Sequence, residues 1–518
     1  MRTFTAEGPC DPLRHHHLPA APRLPEARGL IDEGSYFLLR SPRRTGKTTT
    51  LLALAAELSR EGRYAALCVP CAVGETSSDA TRAQVAEEAL LASLRLAAEH
   101  DLPPALRPPV FPSSAEGTRI LTALDAWARA CPRPIVLFLD DIDALRGPSL
   151  RSVLGQLAAG FSRRPAAFPW SVALSSEIDL RDERLGGGEL SRAGLPGPFD
   201  IAVSTEAMRR FTEDETRALY AQHAAETGQR FDEPALRAAL VATAGHPFLV
   251  QALGREIARG VEPPAPVTAD HVEEAAARLV QKGVTPIDNL AALLADERVR
   301  RVIEPLLAGR VDVAAARAED VDHARDIGLL APDAPARIEG GIHRALVPRL
   351  LASGVERVVS DDPAQLFGGE GRLDMALLLD RFAAFYAAHG EALSRATAYE
   401  AIAPELVLLG YLHRALHGRG RVVCDYGVGR GRVDVLLSIP LGDAPAQREA
   451  LVLVSRRKGE RGAKKRGLGW LEVALDRLQL QEGTLVLFDR RKSAPRHSRI
   501  RMRQLRTAKG RIARFLRA

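Results

Sequence analysis

The chain has 518 residues, 46% of them hydrophobic and 26% charged, with 71 Lys and Arg against 65 Asp and Glu. At about 100 to 200 residues per domain this length holds three or more domains, and the composition is that of an ordinary soluble globular protein. It offers no apolar run long enough to span a membrane, no apolar centre of a signal peptide in MRTFTAEGPCDPLRHHH and only five cysteines without a regular framework, so the chain reads as cytoplasmic.

Between residues 35 and 200, strand-like runs (YFLLR, YAALCV, IVLFLD, SVALS) alternate with helical stretches, the pattern of a parallel α/β sheet. The first run leads into SPRRTGKT, which is Ser41, Pro42, Arg43, Arg44, Thr45, Gly46, Lys47 and Thr48, followed by Thr49 and a helical stretch. This fits GxxxxGK[ST] except that Ser41 replaces the first glycine. Strand, loop and helix in that order expose backbone N–H groups to phosphates, with Lys47 for the β/γ oxygens and the Thr48 hydroxyl for Mg2+, which implies ATP. Cys68 and Cys71 form CVPC, read either as two residues of a buried strand or as a redox pair or half a zinc site.

Pro134 to Leu139 is a continuous apolar run, as expected of a strand buried on both faces, and it ends in Asp140, Asp141, Ile142 and Asp143. Acidic residues at the carboxyl end of such a strand sit where open α/β sheets place ligands: Asp140 for Mg2+, Asp141 to orient or activate water. The next strand ends in Ser175 and Ser176, polar candidates to sense a γ-phosphate. Arg181 and Arg184 beyond them read either as plain surface residues or as charge stabilisers, in cis or across a homo-oligomer interface.

Residues 1–204 thus form a P-loop core. Residues 205–286 read as a helical lid, with Thr212 and Glu215 as a capping box and Gly245 and Pro247 starting a helix. Residues 287–352 are helical with a small β-like element at GLLAPDAPARIEGGIHRALVP, which suggests a winged-helix-like module. Residues 353–372 read as a linker, and 373–518 as a final α/β unit ending in a hairpin. From Arg490 to Ala518 lie twelve of the basic residues and no acidic one, leaving 59 basic against 65 acidic elsewhere. Such a tail suits a phosphate backbone, or is a solvated basic edge.

Taken together, FTAEGPCDP, HHHLP, SPRRTGKTTT, FLDDID, DLRD, FTEDETRALYAQHAAETGQRF and GHPFLVQAL resemble the bacterial AAA-like ATPases of the wider AAA+ and STAND group, over about residues 1–350. The resemblance implies that the segment Thr5 to Pro9 and the Gly245-His246-Pro247 turn close around adenine. It also implies that His15 to His17 are a family feature and not a metal cluster. In many such ATPases a Glu takes the place of Asp141, so slower hydrolysis is implied here.

Residues 373–518 resemble the PD-(D/E)XK nuclease-like domain, a restriction-endonuclease-like α/β fold, on DMALLLDRFAAFYAAHG, YEAIAPELVLL, GRGRVDVLL and LDRLQLQEGTLVLFDRR. Carried over, Glu400 takes the helix carboxylate position and Asp434 the first strand position of a metal site. The E-x-K of the next strand falls on Val452 and Val454. Apolar residues cannot bind a hard cation, so cleavage is not expected. Glu449 lies on the opposite face by strand alternation and would need a bulge to take part. Asp434 reads equally as a solvated residue or a partner of Arg432. The basic run from Arg456 to Arg466 suggests backbone contact with nucleic acid, with Trp470 and Phe488 the only nearby rings. Three functions follow: an ATP-driven switch controlling a non-cleaving nucleic-acid-binding domain, an ATP-regulated metal-dependent DNase, and a nucleotide-bound scaffold with little hydrolysis.

Overall fold

The computed structural model describes residues 1–19, 21–72, 83–145, 147–177, 202–309, 316–333, 335–428, 431–442, 444–456, 462–490 and 501–518, though not the side chains of 21, 83, 202–207, 425–428, 431–434 or 501. The chain divides into two compact units, Met1–Ala275 with Asp326–Gly328, and Ala276–Arg325 with Leu329–Ala518. The fold is α/β.

Unit 1 is built on five strands, β1 (Tyr36–Arg40), β2 (Ala65–Pro70), β3 (Ile135–Asp140), β4 (Ser171–Ser176) and β5 (Ala202–Ala207). Their order is β2-β3-β4-β1-β5 and every neighbouring pair is parallel. Parallel pairing requires crossovers, and the helices that supply them cover both faces. Leu67, Val69, Leu137, Leu139, Val172 and Leu174 pack with α3 (Ala83–Asp101), α4 (Arg119–Ala130) and α5 (Pro148–Gly160). The intervening residues Phe37, Leu39, Ala66, Val136, Phe138 and Ala173 pack with α1 (Ala27–Asp32) and α2 (Lys47–Glu61). With period-two alternation and both faces buried, the centres of β1 to β4 must be apolar, and each buried Leu, Val or Phe there contributes about 1.5–3 kcal/mol.

The two cysteines of CVPC pack on opposite sides of the sheet, Cys68 of β2 with α1 and α2, and Cys71, one residue past the strand, with α3 to α5. Both thiols are free, and burial pushes both well above the ordinary thiol range. They behave as small core residues.

β5 runs through residues 204 and 205, so the helices that follow begin later than expected, with α6 (Glu213–Thr227), α7 (Glu233–Thr243) and α8 (Pro247–Gly260). The capping box at α6 forms as its sequence requires: Glu215 N donates to Thr212 Oγ1 at 3.1 Å, and Thr212 N to Glu215 Oε2 at 2.7 Å. The division between the units falls within α9 (Ala269–Gln281).

After the end of α9, unit 2 continues with α10 (Leu290–Ala295), α11 (Glu297–Leu307), α12 (Ala318–Asp326, all but its last residue) and α13 (Gly340–Glu356). Among the described residues, the expected β element is a single bridge between Leu330 and Ile338. After it, residues 353–372 are tied down rather than trailing, with a bridge from Phe367 to Leu373 and a hydrogen bond from Tyr411 Oη to Asp361 Oδ2 at 2.6 Å.

Next come α14 (Met375–Ala396) and α15 (Ala403–Ala415), then β6 (Arg421–Val428), β7 (Gly431–Leu441), β8 (Ala444–Arg456), α16 (Ala463–Leu478), β9 (Glu482–Asp489), β10 (Arg501–Arg506) and β11 (Ile512–Arg517). The six strands form one mixed sheet in the order β10-β11-β9-β8-β7-β6, and α16 makes the crossover between the parallel strands β8 and β9. The terminal hairpin of β10 and β11 is antiparallel and joins the sheet through β11 against β9. No helix among the described residues is long and apolar enough to cross a membrane.

Candidate nucleotide site

β1 lies between β4 and β5, and β4 lies between β1 and β3. That order brings the carboxyl ends of three strands side by side: Leu39 pairs with Ser175, Arg40 with Ser176, and Leu139 with Leu174. The phosphate loop, the acidic cluster and the serines therefore meet at one edge, although they are up to 135 residues apart in the sequence.

The loop is held by its own side chains. Ser41 Oγ donates to Thr45 Oγ1 at 2.8 Å, Thr45 Oγ1 donates to the Pro42 carbonyl at 2.8 Å, and both side chains are buried. Arg44 (φ 57°) and Gly46 (φ 91°) are left-handed, whereas Ser41 is not. The first position of the motif therefore has no need of glycine's conformational freedom, and a hydroxyl there closes the turn. Lys47 Nζ donates to the carbonyls of Ser41 at 2.8 Å and Pro42 at 3.3 Å. α2 starts at Lys47, so its positive end and free N–H groups face the loop.

Thr48 Oγ1 donates to Asp140 Oδ2 at 2.5 Å. Asp140 is only 3% exposed, and its Oδ1 is buried without a hydrogen-bond partner. A buried carboxylate oxygen left without a donor, beside a hydroxyl, suits a hard oxygen-seeking cation such as Mg2+. Asp141 follows with φ 52°, and its carboxyl is pushed up by burial and by Asp140, against the pull of Lys47 and Arg43. Ser175 Oγ is buried without a hydrogen-bond partner, and the Ser176 carbonyl accepts from Ser41 N at 3.1 Å. Arg181 and Arg184 lie outside the described residues.

Two contributors escape sequence reasoning. Glu177, one residue past β4, pairs with Arg43 and donates its backbone N–H to Asp143 Oδ2 at 2.8 Å. Burial raises its carboxyl while Lys47 and Arg43 oppose the rise, which places it beside the loop. Its position directly after the two serines was the available signal. The other is Arg23, whose buried guanidinium donates to the Thr45 carbonyl at 3.1 Å. Arg23 belongs to no motif, so nothing in the sequence marks it.

The start of α8 and the N-terminal segment are joined to this part of the unit. Gly245 has φ 68°, and a Cβ there would stand 2.1 Å from the Phe211 carbonyl oxygen. His246 stands at the N-cap position of α8 and Pro247 takes its first turn, the place where proline is preorganised for a helix. Thr5 N donates to Gln251 Oε1 at 3.1 Å, Gln251 Nε2 to the His16 carbonyl at 2.7 Å, and Cys10 N to Thr49 Oγ1 at 3.0 Å. The segment from Thr5 to Pro9 is thus anchored to α8 on one side and α2 on the other. His15 Nδ1 accepts from Asp11 N at 3.0 Å, His16 packs against Phe4, and the backbone of His17 exchanges hydrogen bonds with Gln222.

In unit 2, Glu400 is exposed in the short turn before α15. The helix carboxylate that reaches the sheet is Glu405, whose Oε1 accepts from Ser455 Oγ at 2.6 Å. The side chain of Asp434 lies outside what is described. Val452 and Val454 are buried under α16, where Gly467 lets the helix approach: a Cβ there would meet Leu485 at 2.6 Å and Val454 at 3.0 Å. The register of β8 is unbroken against β7 from Gln447 to Leu451 and against β9 from Leu451 to Arg456, so no bulge turns Glu449 toward Val452. Glu449 instead pairs with Arg514 at 3.2 Å and accepts from Gln447 at 3.0 Å. Of the two rings near the basic run, Phe488 is buried and Trp470 on α16 is 48% exposed.

No protein-family model and no curated protein matches the chain. Solved structures similar to it include the Walker-type ATPase paby2304 of Pyrococcus abyssi, 11% identical with a TM-score of 0.47 over 66% of this chain and 98% of that one. The ORC2 protein of Aeropyrum pernix is 11% identical, TM-score 0.38, over 61% and 85%. Cdc6p of Pyrobaculum aerophilum is 12% identical, TM-score 0.34, over 63% and 90%. At such values the reading of the site rests on the chain's own geometry.

Proposed function

We propose that this protein binds ATP with Mg2+ in unit 1, hydrolyses it, and uses the cycle as a switch on a C-terminal nuclease-like domain that binds nucleic acid without cutting it. The observation that carries the nucleotide reading is the meeting of Lys47, Thr48 and Asp140 at the ends of β1 and β3, with one Asp140 oxygen buried and unpartnered. Lys47 neutralises the β/γ-phosphate oxygens, and the backbone N–H groups of Arg43 to Thr49 cradle the chain of phosphates. Thr48 and Asp140 would hold Mg2+, which when bound would supply positive charge beside the phosphate oxygens. Asp141 orients the attacking water and Ser175 reads the γ-phosphate, with Arg181 as the stabiliser of developing charge. The Gly245-His246-Pro247 turn and the segment Thr5 to Pro9 take the adenine.

The C-terminal half of the reading is supported by chemistry lost and charge kept. Val452 and Val454 are core residues under α16, while the exposed face of α16 carries Lys464, Lys465 and Arg466 beside Trp470. Cations of this kind contact phosphate backbone regardless of sequence. For ATP to act as a switch it must favour one lid position over another, since a ligand with equal affinity for both moves nothing.

A nucleotide-bound scaffold is the second reading, favoured by Asp141, which is one methylene shorter than a Glu. ATP turnover and MgATP binding by the wild type and by Lys47→Ala separate the two. The switch reading expects turnover that Lys47→Ala abolishes; bound nucleotide with no Lys47-dependent turnover rejects it in favour of the scaffold. DNA binding and cleavage with Mg2+ and Mn2+, with and without ATP, test the C-terminal half, where metal-dependent cutting lost in Asp434→Ala overturns the non-cleaving assignment.

A further inference from the structure

Arg23 sits at the end of a short 3-10 turn (Ala21–Arg23), only 5% exposed. Its Nη2 donates to two carbonyls at once, Thr45 of the phosphate loop at 3.1 Å and Arg209, just past the end of β5, at 2.8 Å. The same guanidinium lies 4.5 Å from the centre of the Phe211 ring. Phe211 in turn donates its N–H to the Gly245 carbonyl at 2.8 Å, in the turn that starts α8. A second thread runs alongside: the Arg44 guanidinium stands 4.8 Å over the ring of Phe248, on α8 itself.

A buried guanidinium is unfavourable unless its donors are used, yet Nε and Nη1 of Arg23 have no hydrogen-bond partner. Packing alone would be served better by an apolar residue of the same length. What the arginine adds is a fixed direction for one peptide group. A peptide unit is planar and trans, so the N–H of Gly46 points opposite to the C=O of Thr45. Holding that carbonyl on Arg23 therefore aims the Gly46 N–H to the side away from Arg23. The φ of 91° at Gly46 leaves the peptide free to turn over if nothing holds it.

We propose that Arg23 is a positioning residue for nucleotide binding: it holds the Thr45–Gly46 peptide so that the Gly46 N–H is offered to the phosphates, and fastens that peptide to the start of the lid at Arg209 and Phe211. Binding of the triphosphate and seating of α8 are then coupled through one side chain. This rests on the ATP reading of the loop.

The test uses the full chain. MgATP and MgADP affinities, kcat and KM are measured for the wild type, Arg23→Met, Arg23→Lys and Lys47→Ala, with hydrogen exchange of residues 245–250 in the presence and absence of MgATP. Arg23→Met keeps the packing on Phe211 and loses the donors. It is expected to weaken MgATP binding about ten- to a hundredfold, the range for a hydrogen bond from a charged group, to act on KM more than on kcat, and to lose the protection that MgATP gives to residues 245–250. Arg23→Lys, able to reach one carbonyl at a time, is expected between the two. Should Arg23→Met fail to fold, Arg23→Lys carries the test: weaker binding and reduced protection support the proposal, and values equal to the wild type overturn it. Arg23→Met that binds MgATP within twofold of the wild type, with its protection intact, overturns the proposal and leaves the ATP reading standing. A wild type that shows no Lys47-dependent binding overturns both.

Discussion

Single residues in the nucleotide edge are held by neighbours that the motif does not mention, and the same is true of the histidines at the N-terminus. His16 is fully buried, with ring centroids 4.8 Å from Phe4 and 5.6 Å from His223, and neither ring nitrogen has a hydrogen-bond partner. Burial lowers its pKa to about 4, with His223, Arg2 and His15 repelling the proton and Glu226 favouring it. The unfolded chain then binds a proton near the ordinary histidine value while the folded chain does not. Between about pH 4 and 6.5 the unfolded state holds more protons, so stability rises with pH and is lost on acidification through that window. His413 in unit 2, lowered to about 3 by burial and Arg349, adds a slope of the same sign. His16→Phe cannot protonate and keeps a ring in the cluster. Thermal melts from pH 4.5 to 7 are therefore expected to show a shallower decline toward acid than the wild type shows; equal slopes would count against a buried neutral imidazole.

At the scale of the element, the turn at Gly245 that starts α8 shows where pattern reading reaches and where it stops. The strand, loop and helix around Lys47 and the all-apolar β3 ending in Asp140 are legible because local backbone chemistry and two-sided burial impose them. The placement of β4 between β1 and β3 is not, since strand order is decided by long-range packing, and it is what brings Ser175 and Glu177 to the loop. Glu400 and Glu405 differ by five residues on one predicted helix; the chain inserts a 3-10 turn before α15, and this turn decides which of them faces β8. Gly245 was marked by its neighbour Pro247, but its reason is steric: the Phe211 carbonyl occupies the place of a side chain, in a left-handed conformation. Gly245→Ala must move one of the two backbones, at a cost of about 1–3 kcal/mol for the strain and more if the Phe211 N–H loses its acceptor. Weakened MgATP binding together with a lowered melting temperature is the expected outcome, measured by fluorescent-nucleotide titration and thermal unfolding. Wild-type values in both would show that the turn yields freely.

Across the whole molecule, the two sheets put their polar residues in different places. In unit 1 the strand centres are apolar and the chemistry stands at the carboxyl ends, in Ser41, Asp140 and Ser175. In unit 2 a metal site of the nuclease kind would need acids in the centre of β8, and that centre is the packing surface of α16. Val452 is 0% exposed, pairs in register with Leu485, and shares its cluster with Leu471, Ala474 and Leu475. Gly467 brings α16 close enough that Leu485 and Val454 fill the space a side chain there would take. Restoring the lost acid by Val452→Glu therefore buries a carboxylate beneath a closely packed helix. Breaking a core with an unpaired charge costs about 3–5 kcal/mol, so the variant is expected to unfold at lower denaturant or temperature than the wild type, and to gain neither Mn2+-dependent DNA cleavage nor stabilisation by Mn2+. Pairing it with Val454→Lys places a second charge under the same helix and is expected to lower stability further. The opposite result, a Val452→Glu protein that melts like the wild type and is stabilised by Mn2+, would mean that α16 lifts from β8 to admit a metal, and the nuclease reading would then displace the non-cleaving one.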